Sequence, residues 1–163
     1  QKIISTNDEE ISLNVSQNQI NVVGSVFSFT SKLIEGNYPD YEKVFPVGDE
    51  SKLIIDKNEL NTALSRASVL SNEKYKGIRL SLNEDLLKIE ANNPEKESAE
   101  EEIKVDYSGP ELEIGFNISY LQESLTTIKD LSAEIVFFGQ ESSCIVKNKE
   151  NEDLIHVIMP MRL

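Results

Sequence analysis

The strongest constraint on this chain is an internal repeat. Lys52-Leu53-Ile54-Ile55 reads as a short strand, and Asp56 follows it as a helix N-cap. Leu60, Ala63, Leu64, Ala67 and Leu70 then recur at three- and four-residue steps, the apolar stripe of one helix. Strands resume over 78–82, turn at Asn83-Glu84-Asp85, and continue over 87–89 and 103–107. After roughly sixty residues the order starts again. Leu112-Glu113-Ile114 is a strand, Asn117 a cap, and Ile118, Leu121, Leu125 and Ile128 a second stripe. Three strands follow over 133–138, 143–146 and 154–159. Two strand–helix–three-strand units predict an α+β fold with two helices side by side, packed on continuous antiparallel sheet.

Upstream, Ile11 to Val15, Ile20 to Val22 and Val26 to Phe29 alternate apolar and polar, with Asn18 and Gly24 as turn residues. These three strands read as the end of an earlier copy lacking its own strand and helix. The stretch between, from Gly36-Asn37-Tyr38-Pro39-Asp40-Tyr41 to Pro46, Gly48, Asp49 and Glu50, reads as a linker. The helix faces turned from the sheet carry Asn58, Asn61, Thr62, Ser65 and Arg66, and Ser119, Gln122, Thr126 and Lys129, nearly free of acid. Such a face suits the neighbourhood of a polyanion, or is simply a solvated surface.

Charge limits the choice of partners. The chain has 29 acidic and 16 basic residues and a formal charge of -13, which opposes blanket neutralisation of phosphates but leaves room for a local basic strip. One cysteine, Cys144, and one histidine, His156, supply neither an intramolecular disulfide nor a zinc ligand set. No apolar run of ~18 residues is present, and Gln1-Lys2-Ile3-Ile4-Ser5 lacks the regions of a secretory signal. The expectation is a cytoplasmic protein without cofactor or metal. The absent initiator Met adds the expectation that the chain starts inside a longer one. Cys144 and His156 lie on neighbouring predicted strands, but no third group completes a nucleophile–base pair, and a buried structural thiol is the plainer reading.

Seven strings carry a resemblance to one family: Phe29-Thr30-Ser31-Lys32-Leu33, Tyr38-Pro39-Asp40-Tyr41, Leu70-Ser71-Asn72-Glu73-Lys74, Ala91-Asn92-Asn93-Pro94-Glu95, Tyr107-Ser108-Gly109, Ile114-Gly115-Phe116-Asn117 and Val157-Ile158-Met159-Pro160-Met161-Arg162-Leu163. In this order and spacing they resemble the C-terminal part of the bacterial DNA polymerase β sliding clamp. The resemblance implies a DNA-clamp fold, with 1–41 as the second half of a middle domain and 42–163 as a complete third domain. It implies a non-enzymatic processivity factor. Such a clamp is a homodimeric ring whose helices surround double-stranded DNA and whose groove takes short peptides from the replicative DNA polymerase, the clamp loader and repair proteins.

By position, the resemblance assigns Pro39, Val44, Asn117, Tyr120, Ser143, Val157, Met159, Pro160, Met161 and Arg162 to the peptide groove. Glu141 departs from the apolar or small residue usual at one edge of it. Val69, Leu70, Glu95, Glu97, Glu100 and Glu101 fall at the subunit interface, the acids within a run from Glu90 to Glu102 that also reads as a solvated loop. Arg66, Lys74, Lys76, Arg79 and Lys129 are the candidates for weak contact with DNA near the helix faces. With the first domain and half the second absent, the groove is expected to be incomplete. The chain alone is then expected to be a monomer, or a dimer paired through exposed strand edges. The alternative function is a peptide-binding β-rich module with no role on DNA.

Overall fold

The computed structural model describes residues 10–38, 40–149 and 154–162. They form two compact units, Gln1–Asp40 and Tyr41–Leu163. In the first, β1 (Ser12–Val15), β2 (Gln19–Val23) and β3 (Ser28–Lys32) make one antiparallel sheet in sequence order. Leu13, Val15, Val26 and Phe29 stay exposed there, because among the described residues of this unit no second layer covers the three short strands. Asn21 fastens the middle strand to the last by donating from Nδ2 to Thr30 Oγ1 at 2.8 Å. The expected linker is not wholly irregular, since Tyr41–Val44 winds into one 3-10 turn.

The second unit follows the repeat. Its first copy is β4 (Ser51–Asp56), α1 (Lys57–Ser68), β5 (Gly77–Asn83), β6 (Leu86–Asn92) and β7 (Ser98–Lys104). A short β8 (Asp106–Ser108) precedes the second copy, which is β9 (Leu112–Asn117), α2 (Ile118–Thr127), β10 (Ser132–Phe137), β11 (Cys144–Asn148) and β12 (Ile155–Ile158). The sheets run β7-β6-β5-β9 and β12-β11-β10-β4-β8. Each therefore holds three strands of one copy and the lead strand of the other. The exchange is symmetric in register: Asn117 lies opposite Gly77, and Asp56 opposite Ser132. Neither copy can close its sheet without the other.

Two expectations need correcting. The sheet within this unit is divided in two rather than continuous. The strand expected over 103–107 is broken at Val105: β7 stays beside β6 until Leu86 pairs with Lys104, and β8 pairs with β4 in the other sheet. The cause is that β6 ends at its turn, leaving no partner beyond Lys104. Val105 instead donates its N–H to the Asp85 carbonyl at 2.8 Å.

Both helices start where a side chain satisfies the free N–H groups of the first turn. Asp56 Oδ1 accepts from the N–H groups of Asn58 and Glu59 at 2.9 Å each, and Asn117 accepts from that of Ser119. The other end of α2 is held by α1, because Lys57 Nζ donates to the Ile128 carbonyl at 2.7 Å. A cation on the last carbonyls complements the helix dipole. Leu60, Ala63, Leu64 and Ala67 of α1 and Ile118, Leu121, Leu125 and Ile128 are all buried, while Leu70 lies past the helix end and is half-buried. The polar helix faces are less free of acid than the sequence reading has it, because Glu59 and Glu123 are exposed on them.

The β5–β6 hairpin closes through Glu84 and Asp85 alone, with Asn83 paired to Leu86 and Glu84 at φ 43°. A left-handed backbone at the first loop residue is what glycine adopts without steric cost. Glu84→Gly, which also removes the charge beside Asp85, is expected to raise unfolding free energy by about 0.5–1 kcal/mol in urea titration.

Candidate functional site

The C-terminal segment ties the two sheets of the second unit together. β12 is an edge strand of the five-stranded sheet and ends at Ile158; β9 is an edge strand of the other. The chain crosses between them through Met159 and Pro160, and Met161 donates its N–H to the Gly115 carbonyl of β9 at 2.8 Å. Met159 is left 66% exposed, held by strand on one side and by this bridge on the other. A long unbranched apolar side chain displayed on fixed backbone is suited to an irregular apolar anchor.

Met161 and Arg162 line an open depression of about 240 Å³ with Arg79, Glu113, Ile114, Gly115, Gln140 and Glu141. Arg162 pairs loosely with Glu141 at 3.9 Å, so the acid noted as a departure faces a cation of the tail. Asn117 closes β9 and caps α2, and its Nδ2 donates to the Tyr75 carbonyl at 3.2 Å. Tyr120, one turn on, is exposed. Val157 sits on the outer face of β12 opposite Ile145, and Ser143 immediately precedes β11. These residues and Val44, exposed on the 3-10 turn, stand outside the lining of the depression. Pro39 lies outside the described residues. Tyr75 was missed because no periodicity connects it to Asn117, 42 positions along the chain.

The acidic run is a hairpin rather than a loop. β6 and β7 flank a turn in which Asn93 Oδ1 accepts from the Glu97 N–H at 2.9 Å and Asn93 Nδ2 donates to the Glu97 carboxylate at 2.8 Å. Val69, Glu95 and Glu97 line a depression of about 490 Å³ with Lys74, Asn72 and Pro94. Val69 is 78% exposed where α1 ends. Strand alternation separates the other two acids. Glu100 is on the outer face in an ion pair with Lys88 at 2.9 Å, whose ammonium is held above its ordinary range by bonds to Glu100 and then Glu90. Glu101 is on the opposite face, towards α1.

The basic candidates separate as well. Arg66 grips Glu101 in a two-pronged contact, Nε to Oε1 at 2.7 Å and a terminal guanidinium nitrogen to Oε2 at 2.6 Å. These hydrogen bonds hold the Glu101 carboxyl below its usual range and the Arg66 guanidinium above. Lys74 lies over the Tyr75 ring, 5.2 Å from its centroid, and borders the Val69 depression. Lys76 turns the chain at φ 48° into β5 and gives its carbonyl to the Ile118 N–H. Lys129, just past α2, is exposed. Arg79 is a correction. Ile78, Leu80 and Leu82 of β5 point into the core, so alternation sends Arg79 to the sheet face away from the helices, where it pairs with Glu113 at 3.3 Å.

Against known families, residues 42–162 match the model of the DNA polymerase III beta subunit, C-terminal domain, and residues 1–40 match that of its central domain. The chain belongs to the β sliding clamp family. It is 45% identical over 162 residues to the beta sliding clamp of Pseudomonas aeruginosa and 39% identical over 162 residues to that of Escherichia coli. Each alignment covers 99% of this chain and 44% of the relative, so the chain spans less than half the length of these clamps. A crystal structure of the Pseudomonas aeruginosa DNA polymerase III subunit beta superposes with a TM-score of 0.87 at 45% identity, over 99% of this chain and 44% of that one. A Bartonella birtlesii sliding clamp bound to griselimycin superposes at 0.88 with 29% identity, over 100% and 44%.

The geometry gives a nucleophile–base pair of Cys144 and His156 little support. Cys144 is fully buried, and burial pushes its thiol up to about 12, far from the thiolate a nucleophile needs. His156 is opposite Val146, while Cys144 is opposite Ile158, and the imidazole Nε2 meets Thr127 Oγ1 at 2.6 Å. Burial lowers the His156 pKa. Among the described residues no helix is long and apolar enough to cross a membrane.

Proposed function

We propose that this chain acts as part of a non-catalytic DNA replication processivity clamp in the cytoplasm. On this reading 1–41 belongs to a middle domain and 42–163 is a whole C-terminal domain. Val69, Leu70, Glu95, Glu97, Glu100 and Glu101 meet a second subunit of a homodimeric ring. The exposed faces of α1 and α2, with Arg66, Lys74, Lys76 and Lys129, look towards encircled duplex DNA. The replicative polymerase, the clamp loader and repair proteins dock through short peptides. Family membership supports the whole. The observation that carries the docking surface is Met159, exposed between strand β12 and the Met161–Gly115 bridge.

The recognition chemistry follows from those side chains. Met159, Pro160, Met161 and Val157 present apolar surface to a leucine or phenylalanine anchor, and Asn117, Tyr120, Ser143 and Arg162 border it with polar groups that fix orientation. Asn117 is preset by its bond to Tyr75, so its carboxamide need not be ordered on binding. A labelled peptide with a Gln followed by Leu and a terminal Leu-Phe is expected to shift the methyl resonances of Met159 and Met161. Met159→Glu is expected to weaken it about ten-fold. Absence of any shift in excess peptide would count against the groove and favour a β module with other partners.

A further inference from the structure

Building on the assignment of the α1 and α2 faces to DNA, we infer that Glu101 is a positioning residue that masks Arg66, withdrawing the guanidinium fork of α1 from a passing phosphate. The masking is geometric. Arg66 uses Nε and a terminal nitrogen on the two carboxylate oxygens of Glu101, which is the same planar pair of donors a phosphate takes. Strand alternation keeps the carboxylate there: Ala99 packs on the core and Ile103 is buried on the same face of β7, so Glu101 projects from the rim of an apolar surface. Its side chain is 23% exposed against 57% for Arg66, so the acid is the better anchored partner. Releasing Arg66 to a phosphate would leave that carboxylate without a counter-charge.

The neighbouring groups point the same way. Thr62 Oγ1 donates to the Asn58 carbonyl at 2.7 Å and Ser65 Oγ to that of Asn61 at 2.8 Å. On α2, Thr126 donates to the carbonyl of Glu123 at 2.7 Å. A hydroxyl has one proton, so these side chains offer only lone pairs outwards. Gln122 directs its amide to Ser65 at 3.0 Å, and Lys57 its ammonium to the Ile128 carbonyl. With these hydroxyl protons directed back into the helices, the Arg66–Glu101 fork is where the grip of α1 on a passing polyanion is set.

The test is binding of a short fluorescent duplex at low and moderate salt. Glu101→Gln is expected to tighten binding two- to five-fold beyond Glu59→Gln, which makes the same charge change on α1, the helix that carries Arg66. It is also expected to steepen the salt dependence by about one phosphate contact. Adding Arg66→Gln should abolish that extra gain. Equal gains from Glu101→Gln and Glu59→Gln, or a gain that survives Arg66→Gln, would overturn the proposal. If no variant binds duplex, the DNA assignment fails, and the fork is read separately with methyl phosphate. An Arg66 Nε–H resonance that moves in Glu101→Gln and not in the parent chain upholds the masking; one that moves in neither refutes it.

Discussion

Phe116→Ala is expected to lower unfolding free energy by about 3–5 kcal/mol, the largest single effect on the second unit. Phe116 is fully buried on β9, and its ring centroid lies 6.5 Å from that of Phe137 on β10, tilted at 41°. β9 belongs to the four-stranded sheet and β10 to the five-stranded one, so this aromatic pair joins the two sheets. The void left by alanine has little means of collapsing. The backbone of β9 is held on one side by β5, where Ile78 opposes Phe116, and on the other by Met161 at Gly115. Urea titration should show a lower midpoint at unchanged slope, and Phe116→Leu, which refills most of the volume, should lose far less. Because Asn117 follows directly, the alanine variant should also loosen the start of α2 and weaken peptide binding. A loss below ~1 kcal/mol would mean that the core repacks and that the sheets are joined elsewhere.

Gly109→Ala is expected to cost about 1–3 kcal/mol, through sterics and not through backbone conformation. Gly109 has no left-handed φ, yet a Cβ there would stand 2.5 Å from Ser51 Cβ and 2.7 Å from the Tyr107 hydroxyl oxygen. Ser51 Cβ is fixed directly to the first residue of β4, so it cannot yield without moving that strand. Tyr107 is held too, donating its hydroxyl to the Pro110 carbonyl at 2.7 Å. The strain should fall on the β4–β8 pairing, where Lys52 opposes Ser108. Ser51→Gly combined with Gly109→Ala should recover much of the loss. If the double variant is no better than the single one, the close approach to Ser51 is not the cause.

The two glycine arguments show how differently such residues are legible. Gly109 enters the sequence reading only within the string Tyr107-Ser108-Gly109; only the tertiary structure reveals that β4 passes too close there for a side chain. Glu84 is the converse, an ordinary residue in a position that calls for glycine, and the hydrophobic pattern carries no trace of it. The pairing of Arg66 with Glu101 was equally hidden. The sequence reading assigned one to DNA and the other to a subunit interface, and 35 positions separate them. Arg79 was grouped with the residues near the helix faces, whereas its place is decided by which way alternate residues of β5 point.

Local order was written in the chain itself. The repeat, both helical stripes, the caps Asp56 and Asn117 and the alternation of most strands follow from short-range rules, because 3.6- and 2-residue periods declare which face is buried wherever one face meets a core. The family strings added identity for the same reason, being local. What tertiary structure decided was every long-range relation: the exchange of lead strands between the copies, the break at Val105 where β6 ran out, the crossing of the tail from β12 to β9, and the fork between α1 and β7. Those depend on where a distant strand ends or which side chain arrives opposite, and periodicity contains no information about distance in space.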